Sequence, residues 1–159
     1  MQSFHRWFAL SALVVGLDQV TKFVVVRAFA LHEVLEVTPF FNLVLVYNRG
    51  AAFSFLSDAG GWQRELFIGI ALVASVWIGW LLKKHAQETL FCLALSLILG
   101  GAVGNVIDRV LYGGVVDFLD FHMLGYHWPA FNVADSAISC GAALLIWDAV
   151  RAKDKAAPA

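Results

Sequence analysis

Four apolar runs, at about residues 7–29, 66–82, 89–110 and 130–150, govern what this 159-residue chain can fold into. Each is long enough to cross a bilayer, because about 20 helical residues, each rising about 1.5 Å, span the hydrocarbon core. With 60% hydrophobic and 14% charged residues and a mean hydropathy of +0.75, the chain lacks the polar surface that a soluble domain of this size needs. It reads as one integral membrane domain over residues 1–159, mainly α, with four transmembrane helices and outer segments at about 30–65 and 111–129. Nothing in it resembles a low-complexity tract or an internal repeat.

Asp18, Gln19 and Lys22 interrupt the first run, and Arg27 closes it, whereas the apolar core of a cleaved signal peptide is short and uninterrupted. The first run is therefore expected to be a retained helix, despite the small-residue pattern Ala28-Phe29-Ala30 at its end. Lysine and arginine bias sets the orientation. Arg6, Lys83, Lys84, Arg151, Lys153 and Lys155 fall on one side, so both termini are expected in the cytoplasm. On the other side Arg27, Arg49 and Arg64 are offset by Glu33, Glu36, Asp58 and Glu65. Trp7, Trp80 and Trp147 then lie near the inner ends of the helices, and Trp62 and Trp128 near the outer ones.

The outer segments are too long for turns and too apolar for free loops. "FNLVLVYN" (41–48) is rich in β-branched and aromatic residues, and "GGVVDFLDF" (113–121) enters a similar run through two glycines. The two strands are expected to pair into a small extracytoplasmic sheet, a cradle resting on the outer leaflet. "RGAAFSFL" (49–56) reads as a short amphipathic piece.

Ionisable residues inside the apolar runs are the candidates for function, because a charge in hydrocarbon costs several kcal/mol, at least ~2.5 on insertion scales. Asp18 and Lys22 stand at i and i+4, the spacing of a structural ion pair, and a proton pathway remains open from this pair alone. Gly101, Asn105 and Arg109 share a stripe in "LGGAVGNVIDR", where Gly100 and Gly104 form a face for close helix approach. Packing accounts for the glycines but not for Asn105, Asp108 and Arg109, which are expected to face a polar cavity at the outer end. Asp117 in "VVDFLD" and Asp135 in "FNVADS" fall at matching depth, Asp117 on the strand leaving the third helix and Asp135 one to two turns into the fourth. Should they meet, they cannot both ionise in a low-dielectric site and would share one proton, as the carboxyls of an aspartic protease do. Asn132, one turn before Asp135, is then a hydrogen-bonding partner for the pair or for substrate.

Other chemistries are thinner. Ser136 and Ser139 have no His or Lys in their segment to act as base. His122 and His127 with Asp117 and Asp120 match no HExxH-type zinc spacing. Cys92 and Cys140 lie in apolar runs without CxxC spacing and read as packing residues. A net charge of −1 supplies no basic surface for nucleic acid. A proton- or ion-coupled small carrier is the alternative function, using Asp18, Lys22, Asp108, Arg109, Asp117 and Asp135 as a pathway, although carriers are commonly built from repeats with broken helices.

Five motifs, "DQVTK", "YNRGAAFSFL", "GGAVGNVIDR", "VVDF" and "FNVADSAI", occur in the order and approximate spacing of the lipoprotein signal peptidases, or signal peptidase II. The resemblance covers nearly the whole chain. It implies an aspartic endopeptidase of the bacterial inner membrane that removes signal peptides from prolipoproteins, cutting just before a cysteine that carries diacylglycerol. It also implies a periplasmic amphipathic helix beside the sheet cradle, and an active site near the periplasmic face. The catalytic pair carried over by motif is Asp117 and Asp135. The supporting positions are Asp18, Lys22, Asn48, Gly101, Asn105, Arg109 and Asn132, expected to orient the pair or hold substrate. The implied partners are the diacylated precursor and membrane lipid. No cofactor, metal or obligate protein partner is implied.

Overall fold

The computed structural model describes residues 3–50 and 61–156 of the chain. Its first helix, α1 (Ser3–Ala28), shows how an apolar sequence divides its faces. Trp7, Ser11, Val14, Asp18, Lys22 and Val25 are buried at helical spacing, while Leu13, Leu17, Val20, Phe23 and Val24 remain exposed. Exposed leucine and valine on this scale make sense only in hydrocarbon, and the polar residues have been gathered onto the protein side.

Two short strands follow, β1 (Val34–Thr38) and β2 (Phe41–Asn48), and then α2 (Gln63–Lys84) and α3 (Thr89–Tyr112). After α3 come β3 (Val115–Met123) and β4 (Tyr126–His127), and α4 (Val133–Ala156) closes the described residues. The four helices are all long and apolar enough to cross a membrane. The α3 helix is central, with 50% of its most apolar window inside the protein against 11% for α2. It packs on α1, α2 and α4, whereas α1 and α2 meet mainly in the core cluster that Trp7 shares with Ile78 and Leu82. Glycines bring the backbones together. A Cβ on Gly100 would lie 2.6 Å from Val14 Cβ, and one on Gly141 would lie 2.6 Å from the Ala94 carbonyl oxygen.

The strands form one antiparallel sheet in the order β1-β2-β3-β4, at the end of the bundle where α1 and α3 finish and α2 and α4 begin. Gly113 makes the turn from α3 into β3 in a left-handed conformation (φ +76°), its N–H donating to the Arg109 carbonyl at 3.2 Å. The β2–β3 register shifts between Leu43 and Val46, so that Val46 pairs with Asp117. Val44 and Leu45 are both buried at this irregularity. Irregularities of this kind re-aim side chains near sites. Val116 and Phe118 pack with Val25 and Leu45 under the sheet, which leaves Asp117, between them, for the opposite face.

The expected sheet is present, with strand 41–48 as read and the second strand at Val115–Met123. Two further strands are present. β1 escapes a pattern reading because Val34, Leu35, Glu36 and Val37 are all exposed and show no alternation. The fourth helix begins at Val133 instead of residue 130, because Phe131 is still bridged to Leu119 of β3. Asp135 therefore lies in the first turn, not one to two turns in. The amphipathic piece expected at 49–56 lies mostly outside the described residues.

Candidate active site

A lysine buried in a membrane helix must find acceptors for its charge and its three N–H groups. Lys22 is 2% exposed, and its Nζ meets Asp18 Oδ2 at 2.8 Å, Asp108 Oδ2 at 2.7 Å and Asn105 Oδ1 at 3.0 Å. Asp18 and Asp108 have no exposed surface. The expected i, i+4 pair is thus one half of a carboxylate–ammonium–carboxylate cluster between α1 and α3. Gln19 lies on its rim, Nε2 donating to Asp108 Oδ1 at 2.9 Å, Asp18 Oδ2 at 3.1 Å and the Gly104 carbonyl at 3.2 Å.

The cluster decides which way the neighbouring amides point. Because Asn105 Oδ1 accepts from Lys22, its Nδ2 faces the other way and donates to Asp135 Oδ1 at 2.8 Å. Asn132 behaves in the same fashion at the start of α4. Its Oδ1 accepts the Asp135 N–H at 2.9 Å, an N-cap bond, so its Nδ2 donates to Asp117 Oδ1 at 2.7 Å. The strand-like pairing of Phe131 with Phe118 and Leu119 holds Asn132 beside β3. Each aspartate therefore has one oxygen committed as an acceptor of an oriented amide N–H. Asn132 Nδ2 also reaches Asn105 Oδ1 at 3.5 Å, which joins the two halves.

Burial pushes the Asp117 carboxyl up to a pKa of about 7, and the charge of Asp135 adds to the rise. Hydrogen bonds from Asn48 and Asn132, and the charge of Lys22, oppose it. Asp117 is 2% exposed, whereas Asp135 is only partly buried. The pair combines an enclosed carboxyl poised near neutrality with a more accessible one.

Seven of the nine positions singled out in the sequence, Asp18, Lys22, Asn48, Asn105, Asp117, Asn132 and Asp135, come together in this one network. Gly101 serves it by packing, since a Cβ there would collide with the Ala134 carbonyl and lie 2.7 Å from Ile138 Cγ1. Asn48 bonds to Asp117 and, through Oδ1, accepts the Gly50 N–H at 3.0 Å. Arg109 stands to one side, its guanidinium donating to the carbonyls of Asn105 (3.2 Å) and Gly50 (3.1 Å) and lying 5.3 Å from the centre of the Phe67 ring.

The residues weighed for zinc are divided, because His127 Nδ1 bonds to Asp120 at 2.9 Å rather than to Asp117. Ser136 Oγ donates to the Asn132 carbonyl at 2.9 Å, an ordinary helix bond. Sequence reasoning finds Asp108 as a polar residue without placing it in the site, and it misses Gln19. Their signal is the 7-11-14-18-22 stripe of α1, since whatever meets Asp18 and Lys22 on α3 must answer a buried charge.

The sequence matches the family described as signal peptidase (SPase) II over residues 10–151. It is 65% identical over 145 residues to a lipoprotein signal peptidase of Cupriavidus necator, covering 91% of this chain and 83% of that one. A lipoprotein signal peptidase of Paraburkholderia phymatum is 58% identical over 149 residues, covering 94% and 90%. Among solved structures, a bacterial membrane enzyme determined by the in meso method at 2.3 Å resolution matches with a TM-score of 0.87 at 32% identity, covering 98% of this chain and 93% of that one. A second such enzyme, at 1.9 Å resolution, matches with a TM-score of 0.78 at 35% identity, covering 91% and 92%.

Proposed function

The chain belongs to the signal peptidase II family, and on that basis we propose that it is an aspartic endopeptidase acting on prolipoproteins, with Asp117 and Asp135 as its catalytic pair. The observation that carries the assignment of the pair is the amide clamp. Asn132 and Asn105 hold one oxygen of each aspartate, and Asp117 is poised near pH 7. At neutral pH the pair shares one proton. The ionised carboxylate takes a proton from the attacking water, and the protonated one polarises the scissile carbonyl. The two exchange roles as the tetrahedral intermediate collapses and the leaving amine is protonated.

The substrate is a signal peptide held in the membrane, cut just before a cysteine that carries diacylglycerol. Such a bond lies at the membrane boundary, where the aspartates stand at the junction of bundle and sheet. α2 and α4 both pack on α3 and make little contact with each other, so the space between them admits a lipid-embedded chain from the side. The enzyme is a bacterial membrane protein. We place its termini in the cytoplasm and its sheet and active site at the periplasmic face of the inner membrane, on the bias of lysine and arginine toward one end. The whole of residues 1–159 acts as one domain. The carrier reading receives no support from the relatives.

The deciding experiment is cleavage by the purified enzyme of a diacylated precursor beside its unlipidated form. Rapid cleavage of the first alone is expected, with product beginning at the modified cysteine. Asp117→Asn and Asp135→Asn should each lower kcat by about 10³-fold or more. Full cleavage by either variant would remove the pair from the mechanism.

A further inference from the structure

The ion cluster beneath the two aspartates has a symmetry that their own contacts do not require. Asp18 Oδ1 accepts the backbone N–H of Ala134, the residue before Asp135, at 2.9 Å. Asp108 Oδ2 accepts the backbone N–H of Val116, the residue before Asp117, at 3.1 Å. Each carboxylate thus grips the main chain one residue ahead of one catalytic aspartate. The two grips are joined twice, by the ammonium of Lys22, which contacts Oδ2 of both, and by the amide of Gln19, which donates to both.

We infer that Asp108 and Gln19, with Asp18 and Lys22, are positioning residues that act as a yoke, setting the separation of the two catalytic aspartates through the backbone at Val116 and Ala134. The inference rests on the assignment of Asp117 and Asp135 as the catalytic pair. Its physical basis is rigidity. Val116 lies on a strand and Ala134 on a helix, neither pairing with the other, and a wholly buried carboxylate–ammonium–carboxylate bridge is a short, stiff connection between them. Gly104 permits it, since a Cβ there would stand 2.5 Å from Asp18 Oδ2. Separation governs the chemistry of a carboxyl pair, because their mutual repulsion sets how far apart the two proton losses fall.

The test compares Gln19→Leu and Asp108→Asn with the wild type, reading kcat, KM and the pH profile of kcat on a diacylated precursor. Gln19→Leu removes one of the two bridges without changing any charge, and Gln19 is only partly buried, so the fold is expected to survive it, as an unfolding curve checks. A loosened yoke predicts kcat lower by about tenfold for Gln19→Leu and about 100-fold for Asp108→Asn, with KM within about twofold. The acid and alkaline limbs should also draw closer together in both. Besides each other, the aspartates feel the charges of Lys22, Asp18 and Arg109, and Asp108 lies against Lys22 and Arg109. Loss of the Asp108 charge alone would displace both limbs in the same direction without narrowing the profile. That shift in Asp108→Asn, with a wild-type profile and kcat in Gln19→Leu, overturns the yoke. If Asp108→Asn fails to fold, Gln19→Leu decides alone. Asp117→Asn and Asp135→Asn run in parallel separate the two levels. Activity in either sinks the catalytic pair itself, whereas two dead variants beside an unaltered Gln19→Leu sink only the yoke.

Discussion

Asp117, with its folded pKa raised from 3.8 to about 7 and only 2% of its surface exposed, binds its proton more tightly in the folded protein than in the unfolded chain. Below about pH 4 both states are protonated and the group has no effect, while between about pH 4 and 7 ionisation increasingly favours the unfolded chain. Asparagine resembles the protonated form and keeps an oxygen for Asn132. Asp117→Asn is therefore expected to be inactive yet more stable than wild type at pH 8, on the order of 1–3 kcal/mol, with the gap closing toward pH 4. Thermal unfolding in detergent across this range checks it, and a gap independent of pH contradicts ionisation of the buried carboxyl as its cause. Asn132 carries two duties, capping α4 and holding Asp117. Asn132→Ala should cost about 1 kcal/mol of stability for the cap and reduce kcat well beyond what that loss of folded protein explains.

At the level of elements, the helices approach each other through glycine, and the approach is what lets polar groups meet. Gly104 faces Asp18 and Gly101 faces the Ala134 carbonyl. Gly104→Ala must displace the Asp18 carboxylate, and through it the grip on Ala134. A loss of about 1–3 kcal/mol is expected from overpacking, with a kcat defect measured on the folded fraction. Gly16, on α1, has no neighbour within 4 Å of a Cβ. Gly16→Ala should leave both quantities unchanged or slightly raise stability. Unfolding curves of the two variants side by side separate close approach from helix propensity. In the sheet, the irregularity in β2 beside Asp117 has an analogous part, since it breaks the burial alternation where the strand meets that carboxyl.

For the whole molecule, one end is a bundle rim with Arg6, Lys83 and Lys84, and the other carries the sheet and the aspartates. Cation–ring contacts mark the first end, with Arg6 over Trp7, Lys83 over Phe4 and Lys84 over Trp80. The sheet end exposes Val34, Leu35, Phe40, Leu124, Tyr126 and Trp128, apolar groups that need the membrane interface. A reporter fused to the C-terminus should accordingly be active in the cytoplasm, and a cysteine-reactive, membrane-impermeant reagent should label a cysteine placed at Gly125 from the periplasmic side only. The reverse pattern would invert the topology. Gly125 suits labelling because it lies in the β3–β4 turn with no neighbour within 4 Å of a Cβ, although its φ of +83° will make the substitution mildly strained.

Spans, strand 41–48 and the two aspartates were all legible in the sequence, because each rests on composition, local pattern or a motif: twenty apolar residues, a β-branched run, a charge where hydrocarbon is expected. Asn132 was legible as a polar partner, but its amide direction was not, since that depends on Asp135 N–H and Asp117 lying on opposite sides of it. β1 was hidden because its register is set by β2 and not by its own alternation. Asp108 and Gln19 were hidden because their meaning is relational. A buried carboxylate near a helix end suggests many structures until Lys22 and the Val116 N–H are placed within hydrogen-bonding distance of it. Chemistry belongs to residue types, and the order of the chain announced it. Separation belongs to packing, and only the close contact of α1, α3 and α4 could decide which carboxylates form the proposed pair and which lie in the ion cluster beneath it.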